Sequence, residues 1–189
     1  LVNIGKIYEA IEHQNEIKDI LKPLYYQNPE RWIEGYSICL NNLAKYLYDT
    51  GNIASSIELY YESKEILGPY YKNKSIKLTD IYSSVLNNLA KSLSDTGNVA
   101  SAIELYNEAI KIKKTLHNES PDIDIGEYIS ILNNFAFSMS LIGNSTETIK
   151  VINEAKEIIE PFYKENQHMW INYYLTTLNN LAYFLNLFF

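Results

Sequence analysis

The chain has 189 residues, 47% apolar and 21% charged, enough for a packed core and unlike a disordered polyelectrolyte. Its 16 Lys and Arg against 23 Asp and Glu leave a formal charge of −7, which argues against nucleic acid or an anionic membrane as partner, since both reward clustered positive charge. The single cysteine, Cys39, excludes an internal disulfide framework and a cysteine-rich zinc site, and fits a reducing, cytoplasmic setting.

In chain order, the first twenty residues carry Lys6, Glu9, Glu12, Glu16, Lys18 and Asp19, which breaks up any signal-peptide core; a helix is expected from about Gly5 to Tyr26. Next, Ile33, Tyr36, Leu40, Leu43, Ala44 and Leu47 step by three or four, one face of a helix. Asp49-Thr50-Gly51 places Gly where a left-handed C-cap sits, and Asn52 can cap the following helix. That second helix runs through Ile53, Ile57, Tyr60, Lys64 and Leu67 until Gly68-Pro69 loosens it.

The pattern then repeats. Leu40-Asn41-Asn42-Leu43-Ala44 returns as Leu86-Asn87-Asn88-Leu89-Ala90, as Leu132-Asn133-Asn134-Phe135-Ala136 and as Leu178-Asn179-Asn180-Leu181-Ala182, each 46 residues after the last. Gly5, Gly51, Gly97 and Gly143 keep the same period, as do the columns of Tyr36, Glu16 and Ile11. A fixed period without insertions marks a repeat array. The reading is a half-unit at 1–28, full units at about 29–74, 75–120 and 121–166, and a half-unit at 167–189. This makes eight helices and no sheet. The apolar tail from Leu181 to Phe189 is shorter than the about 20 residues of a membrane span. Because the chain opens on Leu1, we expect a longer parent protein.

These columns resemble the tetratricopeptide repeat: Leu40, Leu43 and Ala44 match its first helix, Gly51 its turn, and Ser56, Tyr60 and Ser63 its second helix, with Ala102, Tyr106 and Ala109 a better match in the next unit. The Leu-Asn-Asn-Leu-Ala string and Ser120-Pro121-Asp122 are most similar to the kinesin-light-chain type of repeat. The resemblance implies an all-α, right-handed superhelical solenoid of antiparallel helix pairs that binds protein segments in a concave groove. The period departs from the usual motif of about 34 residues, and the third full unit is degenerate at Thr146, Thr148 and Ile152.

Little in the sequence points to catalysis, a metal or a cofactor. His13, His117 and His168 fall in different columns without ligand spacing. Cys39 aligns with Val85, Ile131 and Thr177, so it reads as a packing thiol. Carboxylates of the Glu16, Glu62, Glu108 and Glu154 column would lie about 10 Å apart on neighbouring helices, too far to share a proton; a solvated or interhelical role is expected. The acidic stretch Glu119–Asp124 lacks the oxygen spacing of a calcium loop and reads as a solvated turn.

The Asn pairs stand out, because Asn is a poor helix former. At about 100° per residue, Asn41, Lys45 and Asp49 lie in a sector turned away from Leu40, Leu43 and Leu47, where the groove is expected. Carboxamides both donate and accept, so they can hold the backbone of an extended peptide; equally, they can tie one repeat to the next. The expected peptide-binding set is Asn41, Asn42, Lys45, Asp49, Asn87, Asn88, Lys91, Asp95, Asn133, Asn134, Phe137, Asn179, Asn180 and Tyr183. Its first half is polar and mixed in charge, its second half apolar and aromatic. The expected function is a non-enzymatic module for protein–protein interaction. The alternatives are a self-assembly scaffold, with copies joined through the terminal helices, and a regulatory arm of an enzyme domain elsewhere in the parent.

Overall fold

A computed structural model describes residues 4–71, 75–119 and 124–188. Among them are eight helices and no strand: α1 (Ile4–Gln27), α2 (Pro29–Asp49), α3 (Ile53–Leu67), α4 (Ile76–Asp95), α5 (Val99–Glu119), α6 (Ile125–Leu141), α7 (Ser145–Glu165) and α8 (Gln167–Phe188). The even-numbered helices carry the Asn pairs. The expected acidic turn at 120–123 lies outside the described residues.

Local chemistry sets the helix ends. Asn28 caps α2, its side chain accepting from the Arg31 N–H at 3.3 Å, and Pro29 sits in the first turn, where its missing N–H leaves no bond unmade. At the other end, Gly51 takes φ +84°; its N–H reaches Tyr48 O at 2.9 Å while the Asn52 N–H reaches Leu47 O at 2.8 Å. Two carbonyls that would be orphaned at the helix end are thereby paired. Gly97 at φ +88° and Gly143 at φ +72° repeat this closure, with Asn98 bonding Leu93 O and Asn144 bonding Met139 O. Asn52 and Asn144 then cap α3 and α7, accepting from the Ser55 and Glu147 N–H groups. One residue thus closes a helix and opens the next, which keeps the two helices of a pair in an antiparallel hairpin. The proline column behaves unevenly: α3 stops before Gly68-Pro69, whereas α1 and α7 run through Pro23 and Pro161.

The chain divides into two compact units, residues 1–92 and 93–189. In the first, α2 packs against both α1 and α3. Tyr36, Leu40 and Ala44 are fully buried there, opposite a helix that presents the small Ser56 and Ser63. Small residues let the axes approach, and the Ser63 hydroxyl reaches Ser37 O at 3.4 Å. In the second unit α6 packs against α5, α7 and α8, and α7 against α8. Ala102, Ala109, Ile129, Leu132, Ala136 and Ala155 are at most 1% exposed. Two of the three degenerate positions still serve the core: Thr148 and Ile152 are fully buried, with the Thr148 hydroxyl satisfied by Asn144 O at 2.8 Å, whereas Thr146 is exposed.

Candidate functional site

The Asn pairs form ties between repeats. Asn88 Nδ2 donates to Asn41 Oδ1 at 3.1 Å, and Asn180 Nδ2 donates to Asn133 Oδ1 at 2.6 Å. In both units the second Asn of one repeat meets the first Asn of the repeat before it. Asn133 goes further, donating to Ile129 O at 2.8 Å and to Thr177 Oγ1 at 3.1 Å. Asn87 and Asn133 are each only 7% exposed and offer a ligand almost nothing; their amides are engaged in packing. Asn41, Asn42, Asn88, Asn134 and Asn180 are half-buried, and Asn179 is exposed.

A cleft of about 240 Å³ in the first unit is lined by Lys45, Tyr48, Asp49, Tyr60, Asn88, Lys91 and Ser92. Its charges answer one another. Lys45 Nζ lies 2.6 Å from Asp49 Oδ2 one helical turn on, and Lys91 Nζ donates to the Tyr48 hydroxyl. Burial, and then the charge of Asp49, push the Tyr60 hydroxyl well above its ordinary range, so it stays protonated. The cleft holds four of the expected residues, Lys45, Asp49, Asn88 and Lys91.

A larger cleft of about 410 Å³ lies between α6 and α8 in the second unit, lined by Ser130, Asn133, Asn134, Phe137, Asn172, Tyr173, Thr176 and Asn180. None of these side chains carries a charge at neutral pH. Phe137 is 46% exposed. Tyr173 lies over the start of α6, where a Cβ on Gly126 would fall 2.5 Å from its Cζ. Only the absence of a side chain at Gly126 lets the ring sit there. Four expected residues, Asn133, Asn134, Phe137 and Asn180, come together in this cleft. Asn41, Asn42, Asn87, Asp95, Asn179 and Tyr183 line neither cleft. Ser130, Asn172, Tyr173 and Thr176 were missed. Ser130 and Thr176 share one repeat column and stand one turn before the Asn pairs, a signal the sequence does carry.

The other titratable groups are engaged in structure. Tyr36 Oη donates to Glu62 Oε1 at 2.7 Å, and Glu154 lies 3.4 Å from Lys114 Nζ, the interhelical role expected of that column. Burial and the nearby Glu154 carboxylate push the Tyr128 hydroxyl up to about 12. Lys113, 1% exposed, pairs with Glu127 across α5 and α6. Burial raises the Cys39 thiol, and its Sγ donates to Gln14 O at 3.4 Å, which suits a packing role. Among the described residues no helix is long and apolar enough to cross a membrane.

Residues 38–67 and 83–122 match the tetratricopeptide-repeat family. No curated protein matches the sequence. Among solved structures, the chain is similar to BtubC (BKLC) from P. vanneervenii, at 19% identity and a TM-score of 0.69, covering 94% of this chain and 65% of that one. It is also similar to a putative kinesin light chain from Podosopora anserina with nearly identical TPR-like repeats, at 19% identity, 96% of this chain and 79% of that one, with a TM-score of 0.68. A point variant of the latter gives 0.70, at 19% identity over 96% of this chain and 78% of that one. At such identities the likeness is one of fold. Tetratricopeptide repeats mediate protein–protein interaction, as scaffolds rather than enzymes. The segments 38–67 and 83–122 thus match the tetratricopeptide repeat, and the fold is the all-α, tetratricopeptide-like one found in kinesin-light-chain-like repeat structures.

Proposed function

We propose that this chain is a non-catalytic binding module that holds an extended segment of a partner protein in the cleft between α6 and α8. The observation that carries the reading is the lining of that cleft: carboxamides and hydroxyls without a formal charge, beside the exposed ring of Phe137. Such a surface suits a peptide backbone, which needs both donors and acceptors, with one apolar side chain as anchor. Burying that anchor against Phe137 is worth about 1.5–3 kcal/mol. The first-unit cleft fits an acidic ligand less well, because Asp49 neutralises Lys45 and Lys91 is engaged with Tyr48.

The test is selection of random peptides displayed on phage against the immobilised 189-residue chain, followed by calorimetric titration of the enriched sequences. Enriched peptides should carry an apolar residue flanked by uncharged ones, and should lose most of their affinity for Phe137→Ala combined with Asn172→Ala. Enrichment of nothing, or of peptides indifferent to that double variant, overturns the reading.

A further inference from the structure

The first-unit cleft differs in kind from the one between α6 and α8. Helix α2 supplies Lys45, Tyr48 and Asp49, α3 supplies Tyr60, and α4 supplies Lys91. Its volume of about 240 Å³ falls below the roughly 300–1,000 Å³ of pockets for drug-sized ligands. That suits one small molecule rather than a run of chain.

Tyr60 is 2% exposed and lines this cleft. Its hydroxyl is close enough to Asp49 to feel that charge, yet it donates to no group among the described residues. A buried hydroxyl without a partner is costly, so the cleft calls for an acceptor beside Tyr60. The charges around it come in both signs. Lys45 Nζ meets Asp49 Oδ2 at 2.6 Å, which uses one of three ammonium donors and one of two carboxylate oxygens. Lys91 Nζ lies 4.0 Å from the centre of the Tyr48 ring.

We propose that this cleft binds a free α-amino acid with an uncharged side chain. The ligand's carboxylate accepts from the Tyr60 hydroxyl and from Lys45, and its ammonium donates to Asp49. Both ligand charges are thereby answered by the ion pair already present. A ligand with a carboxylate alone meets Asp49 as a like charge, and a charged side chain adds an ion that nothing in the cleft pairs. The rings of Tyr48 and Tyr60 wall the space left for the side chain.

Calorimetric titration of the 189-residue chain with the standard free L-amino acids reads this directly. At least one with an uncharged side chain should bind, and the acidic and basic ones should bind at least about tenfold more weakly. Its N-acetyl derivative lacks the ammonium and its carboxamide lacks the carboxylate; each should lose at least about tenfold in affinity. Tyr60→Phe removes only the hydroxyl, and Asp49→Asn alters an exposed position. Each should weaken binding by a similar factor with unchanged helical circular dichroism. Should Tyr60→Phe lose helicity, Asp49→Asn carries the test alone. Failure of every amino acid to bind, binding that survives acetylation or amidation, or affinity indifferent to Asp49→Asn would overturn the proposal. Peptides held in the Phe137 cleft should bind Tyr60→Phe unchanged, so the two readings fail separately.

Discussion

Asn180 Nδ2 donates to Asn133 Oδ1 at 2.6 Å, and the same Asn133 donates through Nδ2 to Thr177 Oγ1 at 3.1 Å. One buried carboxamide thus spans about a turn of α8 and fixes how that helix lies on α6. Asn133→Ala strands the groups it satisfies and should cost about 1–3 kcal/mol. Asn179→Ala, in the same column but exposed, should fall within about 0.5 kcal/mol of wild type. Urea unfolding monitored by helical circular dichroism compares the two.

The buried pair of Lys113 and Glu127 should respond asymmetrically. Lys113 is 1% exposed, while Glu127 keeps 19% of its surface in water. Glu127→Ala removes the carboxylate paired with a cation in the core and should cost about 3–5 kcal/mol. Lys113→Leu restores the residue type of Leu67 and Ile159, both fully buried in that column, and leaves a carboxylate that can hydrate. It should cost less than Glu127→Ala by at least about 2 kcal/mol. Equal costs in chemical denaturation would show that the desolvation argument is wrong for this pair.

Gly126→Ala tests the wall of the α6–α8 cleft. The added methyl meets the far end of the Tyr173 ring, which can swing outwards, so stability should change by less than about 1 kcal/mol. The cleft wall, however, moves with the ring. Selected peptides should bind this variant several-fold more weakly at a nearly unchanged thermal midpoint. Undiminished binding would place the ligand away from Tyr173.

Alkaline pH should destabilise the fold through its buried tyrosines. The Tyr128 hydroxyl is held at about 12, above the ordinary 10.0, because burial and then Glu154 disfavour the phenolate. The folded state therefore keeps a proton that the unfolded chain releases. The resulting stability is complete below pH 10 and falls as pH rises towards 12. Tyr36 and Tyr60, also raised mainly by burial, add to the slope in the same direction. Tyr128→Phe should flatten the fall in urea-unfolding free energy between pH 10 and 12.

The sequence by itself determined the helices, their pairing and their turns. Each rests on interactions within a few residues: the apolar step through Leu40, Leu43 and Leu47, the left-handed Gly51, and Asn52 as a cap. It also marked out most of the polar surface, because a fixed period repeats a helix face as faithfully as it repeats a turn. What it left open was whether the Asn pairs face a ligand or a neighbour. Tertiary structure supplies the neighbour contacts, in which adjacent helices meet at separations of 47 and 44 residues, as in Asn133 with Asn180 and with Thr177, rather than at the repeat period. The stagger between packed helices depends on side-chain volumes along the whole contact. The alignment of columns therefore names the residues on a face but not their partners. For the same reason the place of Asn172 and Tyr173 in the lining of the cleft became visible only once α8 lay against α6, with Gly126 leaving room for the ring.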